Sequence, residues 1–118
     1  KKFYKKYKKW CDEYFYLPHR KEMRGIGGIF FDYKNDNWEK DFAFVRHVGL
    51  TFKNIFNEII KKNYKKKWKK KQKEMQYIKR GRYAEFNLLY DKGTKFGLQT
   101  GGNVEAILMS LPPTVKWK

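Results

Sequence analysis

Charged side chains interrupt an otherwise apolar stretch, RGRYAEFNLLYDKGTKFGLQTGGNVEAILMSLPP, over residues 80–113. Burying such groups is costly unless they pair with one another or with a ligand. An upstream stretch, HRKEMRGIGGIFFD over residues 19–32, likewise places cations before a glycine-rich apolar segment. Together the two stretches indicate a pocket for an acidic, largely apolar molecule. The polar residues that lie among the apolar residues at the start of the first stretch include Arg82, Glu85, Asn87 and Asp91.

The periodicity of apolar residues differs between the two halves of the chain. Phe3, Tyr7, Trp10 and Tyr14 share a helical face and predict a helix over 2–16. Asn37 is a good N-cap and predicts a second helix over 38–61. A further helix or helix-loop is predicted over residues 62–79.

Alternation of period two predicts strands in the remainder. They cover residues 82–90, 95–100 and 103–111, and turn residues separate them. Residues 25–33, which form a short, apolar and glycine-rich segment, predict an earlier strand. The last three strands would form an antiparallel meander. The fold class is therefore α+β, a meander flanked by helices, and residues 1–118 are interpreted as a single, partial domain.

The net charge of +17 is unevenly distributed. Six lysines lie in residues 1–10 and nine in residues 61–73, which we interpret as a lysine-rich surface segment. A basic surface attracts nucleic acid or anionic membranes, so a binding module for either is an alternative function. AT-rich codon usage is a simpler explanation for part of the lysine excess.

The sequence argues against a metal site. Cys11 is the single cysteine, so no internal disulfide can form, and His19 and His47 complete no cluster with metal-ligand spacing. The glycine-rich segment over residues 25–28 enters a predicted strand with no helix start after it, which excludes a dinucleotide loop.

Two interpretations stay open for each polar candidate. The planar guanidinium of Arg24 could bind a carboxylate through two hydrogen bonds, with Arg20 adding charge. Alternatively, both arginines could pair with acids in a surface loop. Glu85 and Asn87 fit a structural network with Arg80, Arg82 or Glu105 better than direct chemistry. Asp91 could accept a hydrogen bond or act as a base, or it could be a simple turn residue.

Several of these segments closely resemble the oxygen-dependent coproporphyrinogen III oxidase family of haem biosynthesis. The order and approximate spacing also match, over most of this chain but well under half of a full family member, in its C-terminal portion. The resembling segments are WCDEYFY (10–16), HR (19–20), RGIGGIFFD (24–32), RGRY (80–83), EFNL (85–88), Asp91, GT (93–94), FGL (96–98), TG (100–101), Glu105 and ILMS (107–110).

The resemblance implies an enzyme that converts two propionates of coproporphyrinogen III to vinyl groups and yields protoporphyrinogen IX. Molecular oxygen is the co-substrate, carbon dioxide and hydrogen peroxide are released, and no metal or organic cofactor is required. It also implies a large antiparallel sheet and a homodimer. The compartment is expected to be the cytoplasm, or alternatively the mitochondrial intermembrane space. Weak attraction to anionic membranes is a further expectation, and nucleic acid is not an expected partner.

The resemblance also assigns residues to roles. Asp91 is expected to contact pyrrole N–H groups and to act as the catalytic base. Lys92 stands where the family usually has arginine, which puts a bidentate carboxylate contact there in doubt. Because other active-site residues belong to the N-terminal half, we expect this chain alone to be inactive. The expected substrate-binding residues are His19, Arg20, Arg24, Gly27, Gly28, Arg80, Arg82, Lys92 and Lys95, with Glu85, Asn87 and Glu105 as supporting residues.

Overall fold

The computed structural model describes residues 2–117 as two compact units. The first unit contains the residues up to 30 together with those from 69 onward, and the second contains residues 31–68. The first unit holds α1 (Lys2–Tyr14), β1 (Tyr16–Leu17), β2 (Glu22–Met23), α3 (Lys70–Leu89), α4 (Lys92–Gln99) and α5 (Val104–Leu108). The second unit holds α2 (Trp38–Asn63).

The first unit has a small core in which α1 and α3 meet the β1–β2 hairpin region. The two strands are antiparallel, with Tyr16 opposite Met23 and Leu17 opposite Glu22. Leu17 is fully buried and Phe86 of α3 is 2% exposed. The remaining buried apolar residues are Tyr7, Cys11 and Ala84. Burial of these side chains supplies the main apolar stabilisation that the described chain possesses.

Aromatic rings extend this core around Phe30. The Phe30 ring stacks on Tyr14 at a centroid distance of 4.5 Å and meets Trp10 edge-on at 5.7 Å. The Phe30 amide also donates to the Tyr7 carbonyl at 3.1 Å. Phe15 lies 5.1 Å from the Phe86 ring, centroid to centroid. The segment after the hairpin is therefore held against α1 without forming a strand of its own.

The second unit is built around α2, which begins after Asn37. The Asn37 side chain accepts the Lys40 amide at 3.0 Å, as an N-cap does. Lys34 and Asp41 form an ion pair of 2.7 Å, and Phe31 packs edge-on against Phe44 at 5.1 Å. No described residue of α2 is buried.

The predicted α+β class is confirmed, because helices dominate and a two-stranded antiparallel sheet is present. The predicted helices over 2–16 and 38–61 are confirmed within a few residues by α1 and α2. The helix predicted within 62–79 is confirmed in part, since α3 begins at Lys70 and continues to Leu89.

The predicted positions of the meander strands are wrong. Residues assigned to strands 82–90, 95–100 and 103–111 lie mainly in α3, α4 and α5. Asp91, considered as a turn residue, and Asn103, the first residue of a predicted strand, are instead N-caps that accept the amides of Thr94 and Ala106. Asp and Asn are favoured both in turns and at N-caps, so their presence did not distinguish a hairpin from a helix start.

The strand predicted over residues 25–33 is also wrong, since that segment has no regular secondary structure. Gly27 adopts a φ of +85°, which strands of L-residues do not use. Gly27 also approaches α1 closely, because a Cβ there would lie 3.0 Å from the Asp12 carboxylate oxygen Oδ1. A side chain at this position would therefore be strained and crowded.

Candidate functional site

Arg24 lies on a platform of aromatic rings at the end of β2. Its guanidinium carbon is 3.8 Å from the centroid of Phe15, 5.1 Å from that of Tyr83 and 5.4 Å from that of Phe86. A guanidinium over aromatic faces gains cation–π attraction while its N–H groups stay available at the edge. Burial lowers the pKa of Arg24, while the negative potentials of Tyr83, Cys11 and Asp91 act in the opposite direction.

A cleft of about 740 Å³ opens beside this platform. Its volume falls within the range of about 300–1,000 Å³ that small-molecule sites occupy. Three cations and the Glu22 carboxylate line the cleft beside an apolar wall, so its net positive charge suits an anion that has a large apolar body. The cations are Arg24, Lys79 and Arg80, and the apolar residues are Met23, Ile26, Met75 and Tyr83.

The glycine-rich segment separates this cleft from a smaller one of about 290 Å³. Gly27 lines both clefts, whereas Gly28 lines only the smaller one. A Cβ at Gly28 would have no heavy-atom neighbour within 4 Å, so only Gly27 needs to be glycine for steric reasons. The smaller cleft also includes Cys11, Asp12 and Phe15.

Glu85 is the centre of an ion-pair network behind the platform. Its carboxylate is 9% exposed and accepts from Arg20 through two N–H···O bonds of 2.6 Å each. His19 Nε2 lies 2.9 Å from the same carboxylate, and Arg82 Nη1 lies 3.8 Å away. The Arg20 hydrogen bonds lower the pKa of Glu85, and the contacts with His19 and Arg82 add to this against the effect of burial.

A second carboxylate, Glu22 of β2, holds the other side of Arg82. Arg82 Nε donates to Glu22, and this bond lowers the pKa of Glu22. Lys79 Nζ lies 3.8 Å from the same carboxylate. Within residues 2–117, Arg82 Nη1 is buried beyond hydrogen-bond distance of any partner. Of the partners expected for Glu85, the structure brings Arg82 to it, while the shorter contacts of this network are made by Arg20 and Glu22.

His19 connects this network to Tyr90, which sequence reasoning missed. The Tyr90 hydroxyl lies 2.7 Å from His19 Nδ1. Tyr90 also lines a third cleft of about 290 Å³ together with Tyr14, Phe86 and Lys92. Its position directly before Asp91 was the available signal, but nothing in the sequence distinguishes it from a packing tyrosine.

Asp91 lies between α3 and α4 and caps the latter. Its Oδ2 accepts the Thr94 amide at 2.7 Å, so its structural role is that of a helix cap and not of a hairpin turn residue. Asp91 does not line the cleft of Arg24, although its charge acts on that guanidinium. Lys92 and Lys95 follow it on α4 and are exposed. Lys92 lines the cleft of Phe86 and Tyr90, and neither lysine lines the cleft of Arg24.

The other sequence candidates lie outside the clefts. Asn87 donates to the Tyr83 carbonyl at 3.0 Å along α3, and Glu105 lies exposed in the first turn of α5. No group of three His, Cys, Asp or Glu side chains within residues 2–117 could hold a metal ion. No helix in this range is long and apolar enough to cross a membrane.

The lysine-rich surface segment over residues 61–73 is almost entirely exposed. Tyr64 and Trp68 are 67% and 69% exposed. Lys65 Nζ lies 5.5 Å from the Tyr64 ring centroid, so a cation covers one aromatic face. The segment is thus a basic surface with aromatic side chains among its lysines.

Comparison with known proteins identifies the family. The model of the coproporphyrinogen III oxidase family matches residues 1–118. Over 116 residues, 98% of this chain, it is 62% identical to the oxygen-dependent coproporphyrinogen-III oxidase of Rickettsia bellii strain OSU 85-389. The identity to the proteins of the same name is 63% in Rickettsia rickettsii strain Sheila Smith and 61% in Rickettsia akari strain Hartford. The matched region is 42% of the length of each of these relatives. The chain belongs to the coproporphyrinogen III oxidase family.

Proposed function

We propose that this member of the coproporphyrinogen III oxidase family forms part of the tetrapyrrole site of an oxygen-dependent coproporphyrinogen III oxidase. Each of two propionates would be oxidised to a vinyl group: R–CH₂–CH₂–COOH and O₂ give R–CH=CH₂, CO₂ and H₂O₂. Molecular oxygen is the oxidant, and the proposal includes no metal or organic cofactor. It further includes a homodimer and a cytoplasmic location.

The observation that carries the proposal is the placement of Arg24 on an aromatic platform beside a cleft of about 740 Å³. The substrate is a flexible apolar macrocycle rimmed by carboxylates, which calls for an apolar wall and cations at its edge. Lys79 and Arg80 line the same cleft. Although burial lowers its pKa, an arginine remains charged at neutral pH and can hold a propionate through its fork.

The network behind the platform suits a supporting role. Arg20 and Arg82 each contact a carboxylate of this chain, so their charges are partly neutralised. Arg24, by contrast, has aromatic neighbours and no carboxylate of residues 2–117 within ion-pair distance, which suits it to an external carboxylate. We therefore assign propionate binding first to Arg24, and assign Arg20, Arg82, Glu85 and Glu22 to holding the site in shape.

Asp91 stays our proposed contact to the pyrrole N–H groups. The conservative variant Asp91→Asn tests this role separately from the cap, because asparagine is as good an N-cap as aspartate. In the full-length enzyme, Asp91→Asn should cut turnover while leaving stability unchanged. Equal turnover would show that Asp91 serves only as the cap of α4.

Porphyrin binding by this chain tests the Arg24 assignment directly. Coproporphyrin III, the stable oxidised form of the substrate, can be titrated while its Soret absorbance is followed. Arg24→Ala should weaken binding about tenfold or more, since a charge-assisted contact is worth about 1.5–3 kcal/mol. The porphyrin affinity of Arg24→Lys should lie between those of Arg24→Ala and the unchanged chain, because lysine keeps the charge and loses the bidentate guanidinium contact. Arg46→Ala, on an exposed arginine of α2, is the matched control.

We also propose that this chain alone does not turn over coproporphyrinogen III, since it spans 42% of the length of its relatives. Protoporphyrinogen formation by the purified 118-residue chain would contradict this. Equal porphyrin binding by Arg24→Ala, Arg24→Lys and the unchanged chain would contradict the proposed site itself.

A second candidate function rests on the lysine-rich surface segment. Its exposed lysines with Tyr64 and Trp68 between them suit a polyanion such as single-stranded nucleic acid or an anionic membrane. Binding of this kind would fall steeply with salt and would be lost on charge reversal in residues 61–73. Porphyrin binding should survive that charge reversal, so the same set of variants separates the two functions.

A further inference from the structure

One side of α2 is apolar and exposed along the whole helix. Its large side chains recur at separations of three, four and seven residues, which places them on a single helical face. Each of them is about half exposed or more, and no described residue of α2 is buried. An exposed apolar patch of this kind marks an interaction surface. The α2 apolar face consists of Trp38, Phe42, Val45, Phe52, Phe56 and Ile59.

The opposite side of α2 is polar. Lys40, His47, Asn54 and Glu58 lie there, and all four are exposed. A helix with one apolar and one polar side, both exposed, suits the boundary between water and the acyl chains of a bilayer. A soluble partner could cover the same apolar side, and the charge at the end of the helix distinguishes the two.

Lysines without an internal partner cluster where α2 ends. Over residues 61–68 the sequence has five lysines and no acidic residue. Among the described residues, the ion pairs of lysine side chains all involve other lysines, such as Lys8 and Lys9 of α1. The charge of this cluster is therefore available to an external anion. Its members are Lys61, Lys62, Lys65, Lys66 and Lys67.

Aromatic rings accompany these lysines. Tyr64 closes the last turn of α2, since its amide donates to the Ile60 carbonyl at 2.9 Å. The Tyr64 ring is 67% exposed, and that of Trp68 is 69% exposed. Tyrosine and tryptophan favour the headgroup level of a bilayer, because an apolar ring and a polar tip are both accommodated there. The end of α2 thus offers cations for lipid phosphates and rings for the interface.

We propose that α2 and residues 61–68 form a docking surface for an anionic lipid bilayer. The helix lies in the plane of the bilayer surface, the α2 apolar face enters the boundary between headgroups and acyl chains, and the lysines contact lipid phosphates. This inference narrows the second candidate function to one partner and is independent of the tetrapyrrole site.

Other partners would use only part of this surface. Single-stranded nucleic acid would engage the lysines and the rings of Tyr64 and Trp68, but it would leave the α2 apolar face in water. A second copy could cover the apolar face, but it would bring another net charge of +17 and so repel the first copy. A bilayer rich in anionic lipid satisfies the apolar face and the lysines together.

Vesicle binding by the full-length enzyme tests the lysines. It should be seen by co-sedimentation with vesicles of phosphatidylglycerol and phosphatidylcholine, and not with phosphatidylcholine alone, at about 0.1 M salt. The double variant Lys65→Glu/Lys66→Glu should bind about 25-fold more weakly or less tightly still, because each lysine near an anionic surface contributes about fivefold. Lys5→Glu/Lys6→Glu on α1 makes the same change in net charge and should stay within about twofold of the unchanged enzyme.

A separate variant tests the α2 apolar face. Phe52→Ser should weaken binding to the anionic vesicles about tenfold, because a phenylalanine ring no longer leaves water. The matched control is Phe96→Ser on α4, since Phe96 is 69% exposed and Phe52 is 67% exposed. Fluorescence emission should shift to shorter wavelength on the vesicles. Trp38→Phe should remove most of that shift, because Trp38 lies on the face and is 78% exposed.

Three results would overturn the inference. The first is equal binding, or none, to anionic and neutral vesicles. The second is vesicle binding that Phe52→Ser leaves unchanged, together with tighter binding of oligo(dT), which would mean that charge alone acts and that nucleic acid is the partner. The third is a Trp38 emission already at short wavelength without vesicles, which would mean that another part of the enzyme or a second copy covers the face. Porphyrin binding and oxidase turnover should be unchanged in these variants, so any of the three leaves the proposed oxidase function intact.

Discussion

The two units of this chain contain similar apolar patterns and use them differently. In the first unit, residues from α1, β1 and α3 bury one another, and Leu17 and Phe86 are almost wholly inaccessible. In the second unit, α2 has 26 residues and none of them is buried. Its stacked pairs, Trp38 with Phe42 and Phe52 with Phe56, are all about half exposed or more.

This difference shows that an apolar face stabilises a helix only where other elements cover it. Most helical stability in proteins comes from packing rather than from intrinsic propensity. α2 relies on the Asn37 cap, on Glu39 and Asp41 in its first turn, and on stacking along its own surface. The candidate site accordingly lies in the first unit, where crossing elements hold side chains in place.

The largest expected contrast is between Phe86→Ala and Phe52→Ala. Phe86 is 2% exposed, so its truncation should cost about 3–5 kcal/mol of unfolding free energy. Phe52 is 67% exposed, so its truncation should change stability by about 0.5 kcal/mol or less. Urea unfolding followed by circular dichroism measures both. Equal effects would mean that a partner buries α2 in solution.

Breaking an ion pair should also destabilise the first unit more than the second. Glu85→Gln leaves Arg20 and Arg82 without their shared carboxylate and should cost about 3 kcal/mol at pH 7. Asp41→Asn, which breaks the Lys34 pair in the second unit, should cost less, because Glu85 contacts three cationic side chains and Asp41 is paired with Lys34. Thermal unfolding of both variants gives the comparison. Similar losses would show that the Glu85 network is no more than a surface pair.

The Glu85 network also predicts a pH dependence. The folded state lowers the pKa of Glu85 and Glu22, chiefly through Arg20 and Arg82. Their contribution is therefore complete above the ordinary carboxyl pKa of about 4.3 and is lost as pH falls through the lower folded values. Unfolding free energy measured from pH 7 to pH 2 should decline less in Glu85→Gln. An equal decline would exclude Glu85 as a source of the acid sensitivity.

Two glycines should respond to alanine with opposite signs. A Cβ at Gly81 of α3 would lie 2.5 Å from the Lys116 carbonyl oxygen, so Gly81→Ala should cost about 1–3 kcal/mol. A Cβ at Gly49 of α2 meets nothing within 4 Å, so Gly49→Ala should gain about 0.5–1 kcal/mol. Melting temperatures test both signs. Stabilisation by Gly81→Ala would show that the C-terminal segment does not pack on α3.

The helix caps should give the smallest effects. Asn37→Ala removes the cap of α2 and Asp91→Ala that of α4, and each should cost about 1 kcal/mol. Helical circular dichroism should fall more in Asn37→Ala, because α2 has 26 residues and α4 has eight. A larger helical loss in Asp91→Ala would mean that α3 and α4 unfold together.

Prediction from sequence succeeded where local signals were enough. The spacing of Phe3, Tyr7, Trp10 and Tyr14 identified α1, and Asn37 identified the start of α2. It failed over residues 82–108, where polar residues alternate with apolar ones as in a strand. In α3, the buried residues Arg82, Glu85 and Phe86 follow helical spacing. Two of the three are charged, so a search for a periodic pattern of apolar residues does not include them.

The candidate site was predicted in part. Arg24, Arg20 and Glu85 were chosen as cations and carboxylates near apolar residues, and the structure places all three in the first unit. Glu22 and Tyr90 were missed, because each gains its significance from a partner about 60 to 70 residues away, Arg82 and His19 respectively. No local rule connects residues so far apart in the chain.

The amino-acid sequence by itself determined the family, the basic character and the two helices with the clearest amphipathic spacing or cap. Only the tertiary structure decided that residues 82–108 are helical and that Glu85 pairs with Arg20 and His19. The physical reason is that apolar periodicity and helix capping depend on residues that are close together in the chain. Burial and ion pairing depend instead on which distant segments come into contact.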